Sequence, residues 1–307
     1  MKTTFCSLAH SIESRDVTGW MVSEKLDGMR CIWDGGVTRG KPASSVPWAN
    51  PNEDRVSTGL WSRLGHVIAA PDWWVDTLPP MALDGELYSR VLRQEIMSIV
   101  KRHNPDERWK KIQYHVFDSP GSAWYTARNV SETNFKRYIR VDPSYQARFF
   151  MNATFESVYD SLLKANLGNY VRVVEQRVVD DMKALDSLLD IIVAAGGEGL
   201  MARNPKSYYE CCRTKNLLKV KRADDAEGVV DAWELGEGKL SGIMGALILV
   251  MDNGVRVRCS GFTDYERQVT GTWPDHFPKG TVVTFKYNGL SAAGVPQFPR
   301  YWRKRHE

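Results

Sequence analysis

The stretch Ser23-Glu24-Lys25-Leu26-Asp27-Gly28-Met29-Arg30 decides how the rest of the chain is read. Taken as a strand, its period of two puts Lys25 and Asp27 on one face and turns Leu26 toward a core. Gly28 lets the backbone turn or come close to a ligand, and Arg30 carries a planar fork of donors that matches phosphate bidentately. A lysine and an aspartate at this spacing are more often a surface salt bridge of little energetic worth. The surrounding chain has to choose between the two readings.

The chain has 307 residues, 43% of them hydrophobic and 25% charged, enough for two domains with separate cores. Eleven tryptophans supply large apolar surfaces for burial. No apolar run approaches the roughly 18 residues of a membrane span. The N-terminal MKTTFCSLAHSIESRDVTGW has neither an uninterrupted apolar region nor a cleavage site, so a cytoplasmic protein is expected. Cys6, Cys31, Cys211, Cys212 and Cys259 form no Cys-x-x-Cys pair, which predicts buried reduced thiols and no zinc site. The net charge of +4 is mild and uneven, with ten Lys/Arg against eleven Asp/Glu over residues 223–307. A polyanion would therefore be met by local patches, such as Arg300-Tyr-Trp-Arg-Lys-Arg-His306, and not by a global field.

Moving outward from Lys25, strand-like runs at 19–23, 30–33, 112–117, 170–174, 199–202 and 217–221 alternate with helix-like ones, including 182–195. This mixture predicts an α+β domain over 1–222. The charge flips at Lys221-Arg222-Ala223-Asp224-Asp225, and residues 223–307 read as a second domain of short strands at 228–233, 245–251, 255–259 and 281–287. Asp252-Asn253-Gly254 is a hairpin turn, and Thr263-Asp-Tyr-Glu266 has the form of a capping box that opens a short helix. A small barrel interrupted by one helix is the outline of an OB-fold.

Lys25-Leu-Asp-Gly-Met-Arg30 fits the K-x-D-G-x-R motif of the covalent nucleotidyltransferases, a superfamily of ATP-dependent DNA ligases, RNA ligases and mRNA capping enzymes. Five further segments stand in that superfamily's order: Thr38-Arg39-Gly40, Leu83-Asp-Gly-Glu-Leu-Tyr88, Tyr114-His-Val-Phe-Asp118, Glu198-Gly-Leu-Met-Ala-Arg203 and Leu218-Lys-Val-Lys221. Beyond them, Glu227-Gly-Val-Val, Gly245-Ala-Leu, Asn253-Gly-Val, Ser260-Gly-Phe and Lys286-Tyr-Asn-Gly-Leu290 resemble the OB domain of small bacterial and phage DNA ligases. The resemblance covers nearly the whole chain. It implies an α+β adenylation domain followed by an OB-fold, acting as a monomer on nicked duplex DNA with ATP and magnesium, for which manganese can substitute.

The resemblance also implies roles. Lys25 attacks the α-phosphate of ATP, releases pyrophosphate and keeps AMP on its side-chain nitrogen. A lysine of ordinary pKa near 10.4 is neutral about once in a thousand near pH 7, so nearby cations must favour the free amine. Arg30, Lys219 and Lys221 supply them and hold phosphate oxygens. Glu86 and Glu198 organise the metal, since magnesium takes a few carboxylates together with water and phosphate. Glu86 also contacts the ribose, and Asp27 helps place the 3′-hydroxyl of the nick. Phe117 and Met201 sandwich the adenine, with Ser23 and Glu24 facing its exocyclic amine. Arg39 and Arg203 meet the nick phosphate.

In the C-terminal domain, Arg305 takes the arginine position of the family's R-x-D-K motif, which orients pyrophosphate, and Arg303 and Lys304 add charge beside it. Glu307 replaces the usual aspartate there, and the terminal lysine is missing. Further DNA grip is expected near Lys101-Arg102 or Lys136-Arg137. An NAD-dependent ligase is disfavoured, because only 24 residues precede Lys25 and no four-cysteine zinc site follows. RNA ligase, capping guanylyltransferase and a non-catalytic nucleic-acid-binding OB module stand as the alternatives.

Overall fold

The structure, a computed structural model, describes residues 4–13, 15–90, 93–121, 153–222, 224–268, 276–291 and 293–305. The chain divides into two compact units, Met1–Val220 and Lys221–Glu307. Among the described residues no helix is long and apolar enough to cross a membrane.

Two five-stranded sheets build the first unit. One contains β1 (Leu8–Ser11), β2 (Met21–Glu24), β8 (Arg177–Val178), β9 (Leu200–Arg203) and β10 (Arg213–Val220), in the order β1-β10-β9-β2-β8. One face of this sheet buries Val22, Leu200, Ala202, Leu218 and Val220 against Leu185 and Leu189 of a helix, Met182–Ala194. That helix forms because its apolar residues recur at helical spacing and Asp181 caps it, accepting from the Ala184 amide at 2.7 Å. It spans the predicted 182–195 less one residue.

The other sheet contains β3 (Met29–Asp34), β4 (Leu60–Ser62), β5 (Ala82–Tyr88), β6 (Gln113–Asp118) and β7 (Val171–Val173), in the order β4-β3-β5-β6-β7. Leu83, Leu87, Tyr114 and Val116 form its buried face, packed on Trp74, Ile96, Trp109 and Leu162. The rings of Trp74 and Trp109 meet edge to face with centroids 5.0 Å apart.

The structure corrects one expectation at the decisive stretch. Residues 23–30 are not one strand: β2 ends at Glu24, β3 starts at Met29, and the two belong to different sheets. Lys25 and Asp27 therefore do not share a strand face. Backbone pairing explains the break, since β2 pairs with β9 while Met29 and Arg30 pair with Leu87 and Glu86 of β5. Gly28 carries the crossover, because a Cβ there would lie 2.2 Å from the Leu87 carbonyl oxygen and 2.9 Å from Glu86 Cγ. Its freedom serves close approach to β5.

The second unit is one antiparallel sheet, in which β11 (Asp224–Leu235), β12 (Met244–Val250), β13 (Arg256–Cys259), β14 (Val282–Tyr287) and β15 (Arg300–Lys304) run in the order β13-β12-β11-β14-β15. The predicted turn joins β12 to β13, with Gly254 at φ +78° and Asn253 Oδ1 accepting from the Val255 amide at 3.1 Å. The sheet curls until its edge strands meet at Ser260. There the Ser260 amide donates to the Pro299 carbonyl (3.2 Å) and its carbonyl accepts from the Tyr301 amide (2.7 Å). These bonds join the edges at one point and leave the barrel short of a continuous ladder. The capping box forms as predicted: Glu266 accepts from the Thr263 amide (2.7 Å), and the Glu266 amide donates to Thr263 Oγ1 (3.2 Å).

Candidate active site

Two cross-strand rows define the site. In the first sheet, Lys219 stands opposite Met201, and Met201 opposite Ser23. In the second, Arg30 stands opposite Glu86, Glu86 opposite His115, and His115 opposite Arg172. Directly opposed residues share a face, so each row presents its side chains together. The sequence alternation along β6 already put His115 and Phe117 on one face. Nothing local pointed to the row across four strands.

Lys25 lies where the chain passes from one sheet to the other. Its amide donates to the Gly199 carbonyl at 2.8 Å, extending the β2–β9 pairing one residue past the strand. This brings Lys25 beside Glu198, and the ammonium Nζ is ion-paired with the Glu198 carboxylate. Both side chains are 25% exposed. Glu86, from the opposite sheet, feels the same ammonium. Burial pushes its carboxyl up to about 7, against the pull of Arg30, Lys25 and the Gly28 amide. Two carboxylates, Glu198 from the loop before β9 and Glu86 from β5, thus act on one lysine.

No group of three or more His, Cys, Asp or Glu residues among the described ones is arranged to hold a metal. Glu86 and Glu198 fit the sparser need of magnesium, which completes its shell with water and substrate phosphate.

Arg30 departs from the expected phosphate clamp. Its fork is taken by buried Asp84, at 2.5 Å from Nε and 2.6 Å from Nη2. Tyr209 donates its hydroxyl to the same carboxylate at 2.6 Å. The Arg30 guanidinium then lies over the Phe117 ring, 4.5 Å from its centroid, so it orients the aromatic expected to stack on adenine. Asp84 stood in a quoted motif without a role, and Tyr209 carried no signal at all, being 125 residues from its partner.

Arg203 departs as well. Its side chain is 7% exposed, pairs with Asp118 at 2.9 Å and covers the Phe155 ring at 5.0 Å, an interior position unlike the expected phosphate contact. Arg39 bridges Asp72 (2.6 Å) and Asp76 (2.5 Å) at the surface. Asp27 is half exposed and paired with Arg93 at 2.9 Å. Ser23 is buried and Glu24 exposed. Lys219 lies in β10, whereas Lys221 follows its end and opens the second unit.

In that unit Arg303 lies over the Trp302 ring at 4.4 Å, and Arg305 pairs with Glu227 at 2.6 Å. Lys101 and Arg102 are exposed, Arg102 with Asp106 at 3.7 Å. Lys136, Arg137 and Glu307 lie outside the described residues. Cys6, Cys31, Cys211 and Cys259 are buried and Cys212 partly so, and none of the five is in a disulfide.

Comparison with known proteins agrees with this architecture. The profile of the family described as ATP dependent DNA ligase domain matches residues 3–221, and that of the DNA ligase OB-like domain matches residues 235–305. A DNA ligase of Haemophilus influenzae is 29% identical over 298 residues, which is 97% of this chain and 91% of the relative. A solved structure from work on Lig E DNA ligases superposes with a TM-score of 0.69 at 28% identity, covering 99% of this chain and all of that one. Another, Pmar-Lig_PreS3, shares the fold with a TM-score of 0.66 at 23% identity, over 99% of this chain and 68% of its own. With an adenylation domain, an OB domain and the ordered motifs matched along nearly its whole length, the chain belongs to the ATP-dependent DNA ligase family.

Proposed function

We propose that the protein seals 5′-phosphate/3′-hydroxyl nicks in duplex DNA through a covalent adenylate on Lys25, with residues 1–222 as the adenylation domain and 223–307 as the OB domain. The observation that carries this reading is Lys25 at the crossover between two sheets, under the influence of Glu198 and Glu86 together.

Lys25 Nζ attacks the α-phosphate of ATP and pyrophosphate leaves. AMP then passes to the 5′-phosphate of the nick, and the 3′-hydroxyl displaces AMP to close the strand. Each step is phosphoryl transfer, so positioning and electrostatics dominate. The Lys25–Glu198 pair has to open before Nζ attacks. Glu198 and Glu86 would hold magnesium, which supplies charge neutralisation on the phosphates. Glu198 would then leave Lys25 free to act as the amine. Lys219 and Lys221 stabilise the charge on pyrophosphate, aided by Arg303 and Arg305. Phe117 and Met201 enclose the adenine beside Ser23 and Glu24. Asp27 serves the 3′-hydroxyl, Arg39 meets the nick phosphate, and Arg203 holds Asp118 in the interior. The protein acts as a cytoplasmic monomer.

Incubation with α-labelled ATP and magnesium is expected to leave label on the denatured protein, and Lys25→Ala is expected to remove it. Label persisting on that variant overturns the nucleophile. Nicked DNA, nicked RNA and triphosphate-ended RNA offered side by side test the substrate. Sealing of RNA in preference to DNA, or transfer of GMP to RNA, replaces the DNA-ligase reading.

A further inference from the structure

The two rows give the cleft of the first unit a direction. Lys219 and Arg30 stand at one end; Ser23, His115 and Arg172 stand at the other. A cavity of about 940 Å³ opens at this second end, lined by Ser23, Glu24 and His115 and by none of Lys25, Glu86, Glu198 or Lys219. With phosphates at Lys25 and Lys219, any group filling the cavity is attached to the base of the nucleotide.

One side of the chamber is apolar, and the other carries Arg90, Lys111, Arg172, Glu175 and Arg177. Leu26 at the crossover and Leu188, Ile191 and Ile192 of the long helix form the apolar side. Ile191 is 65% exposed, so this wall reaches the surface and leaves the chamber open to solvent. On the other side, His115 packs edge to face with Tyr88 at 5.1 Å. Arg172 stands opposite His115 on β7 and lines the same side of the cavity. Pockets of roughly 300–1,000 Å³ enclose drug-sized molecules, and an adenine edge fills a small part of that space.

We propose that this chamber is a subsite for substituents on the exocyclic amine of adenine nucleotides, with aromatic ones packing on its apolar side, so the enzyme accepts ATP analogues enlarged at that position as adenylate donors. The inference rests on the assignment of Lys25 as nucleophile, with the base toward Ser23 and Glu24. The transferred group remains a nucleoside monophosphate on Lys25, with pyrophosphate as leaving group, so the enlarged base alters no bond made or broken.

The test uses the full chain, N6-benzyl-ATP and ATP, with covalent adenylylation read by the mass of the protein. The expected result is adenylylation by N6-benzyl-ATP with a kcat/KM within about tenfold of that for ATP, because the substituent enters an existing space. Two exposed rim positions supply the control. Ile191→Trp and Arg177→Trp narrow the chamber, and each is expected to lower kcat/KM for N6-benzyl-ATP by at least about tenfold while changing that for ATP by less than about threefold. Either variant alone suffices should the other fail to fold.

Two outcomes overturn the subsite: an N6-benzyl-ATP that neither modifies the wild-type protein nor competes with ATP, or rim variants that treat both nucleotides alike. Failure of ATP itself to modify Lys25 overturns the underlying assignment instead, so the two failures are distinct.

Discussion

Arg30 in the first unit and Arg305 in the second each meet one carboxylate, yet the settings differ. Arg30 is 20% exposed and grips Asp84, which is fully buried and also held by Tyr209. Arg305 is 61% exposed and reaches Glu227, itself 41% exposed. The same contrast separates Arg203–Asp118 from Arg256–Asp231 and Arg258–Glu234. In these two pairs of the first unit, charges are withdrawn from water and lock strands and an aromatic ring in place. In the second, they lie on the outside, where water and salt compete for them and other anions can exchange with the partner.

The largest effect expected from breaking the contrast is at Asp84. Asp84→Ala leaves Arg30 without its buried partner and should lower unfolding free energy by about 3–5 kcal/mol in urea titration. Replacing both partners with apolar residues, Arg30→Met with Asp84→Leu, should restore most of that stability while loosening Phe117 and raising KM for ATP. A single variant costing under about 1 kcal/mol would show that Asp84 is not the lock.

Next is Gly28→Ala, where the added methyl collides with the Leu87 carbonyl. A loss of about 2–3 kcal/mol is expected, together with slower adenylylation, because the crossover must move away from β5. Its counterpart Gly254→Ala meets nothing within 4 Å and incurs only left-handed backbone strain, about 1 kcal/mol. Equal losses at the two sites would refute the close-approach account.

A third test is acid stability. The Arg55 fork, 2.7 and 2.6 Å from Glu53, and the Val67 amide hold the buried Glu53 carboxyl down at about 2, with burial opposing them. A depressed folded pKa gives stability that is present above about pH 4.5 and lost as the pH falls toward 2. The difference in melting temperature between the parent protein and Glu53→Gln should therefore shrink steadily over that window. A constant difference would remove Glu53 as the cause.

The smallest effect is reserved for the second unit. Glu227→Ala should change stability by less than about 1 kcal/mol, and added salt should reduce even that. A loss comparable to that of Asp84→Ala would erase the distinction between the units.

Much of this molecule was legible locally. The hairpin turn at 252–254, the Thr263–Glu266 capping box and the helix opened by Asp181 depend on residues within a few positions of one another, and each formed where the sequence placed it. The site was legible as a set of residue types in order. Its partnerships were not: Lys25–Glu198, Arg30–Asp84 and Tyr209–Asp84 span 173, 54 and 125 residues, and no spacing rule reaches that far.

The sequence by itself determined the family, the pair of domains and the ordered motifs on which the proposal of Lys25 as nucleophile rests. Only the tertiary structure decided that Lys25 and Asp27 part at a crossover, that Arg30 turns to Asp84 and Arg203 to Asp118, and that a chamber opens beyond Ser23 and His115. The physical reason is pairing between strands distant in sequence. Backbone hydrogen bonds assign β2 and β3 to different sheets, and a charge carried inside by its strand must take whichever opposite charge the neighbouring strand presents.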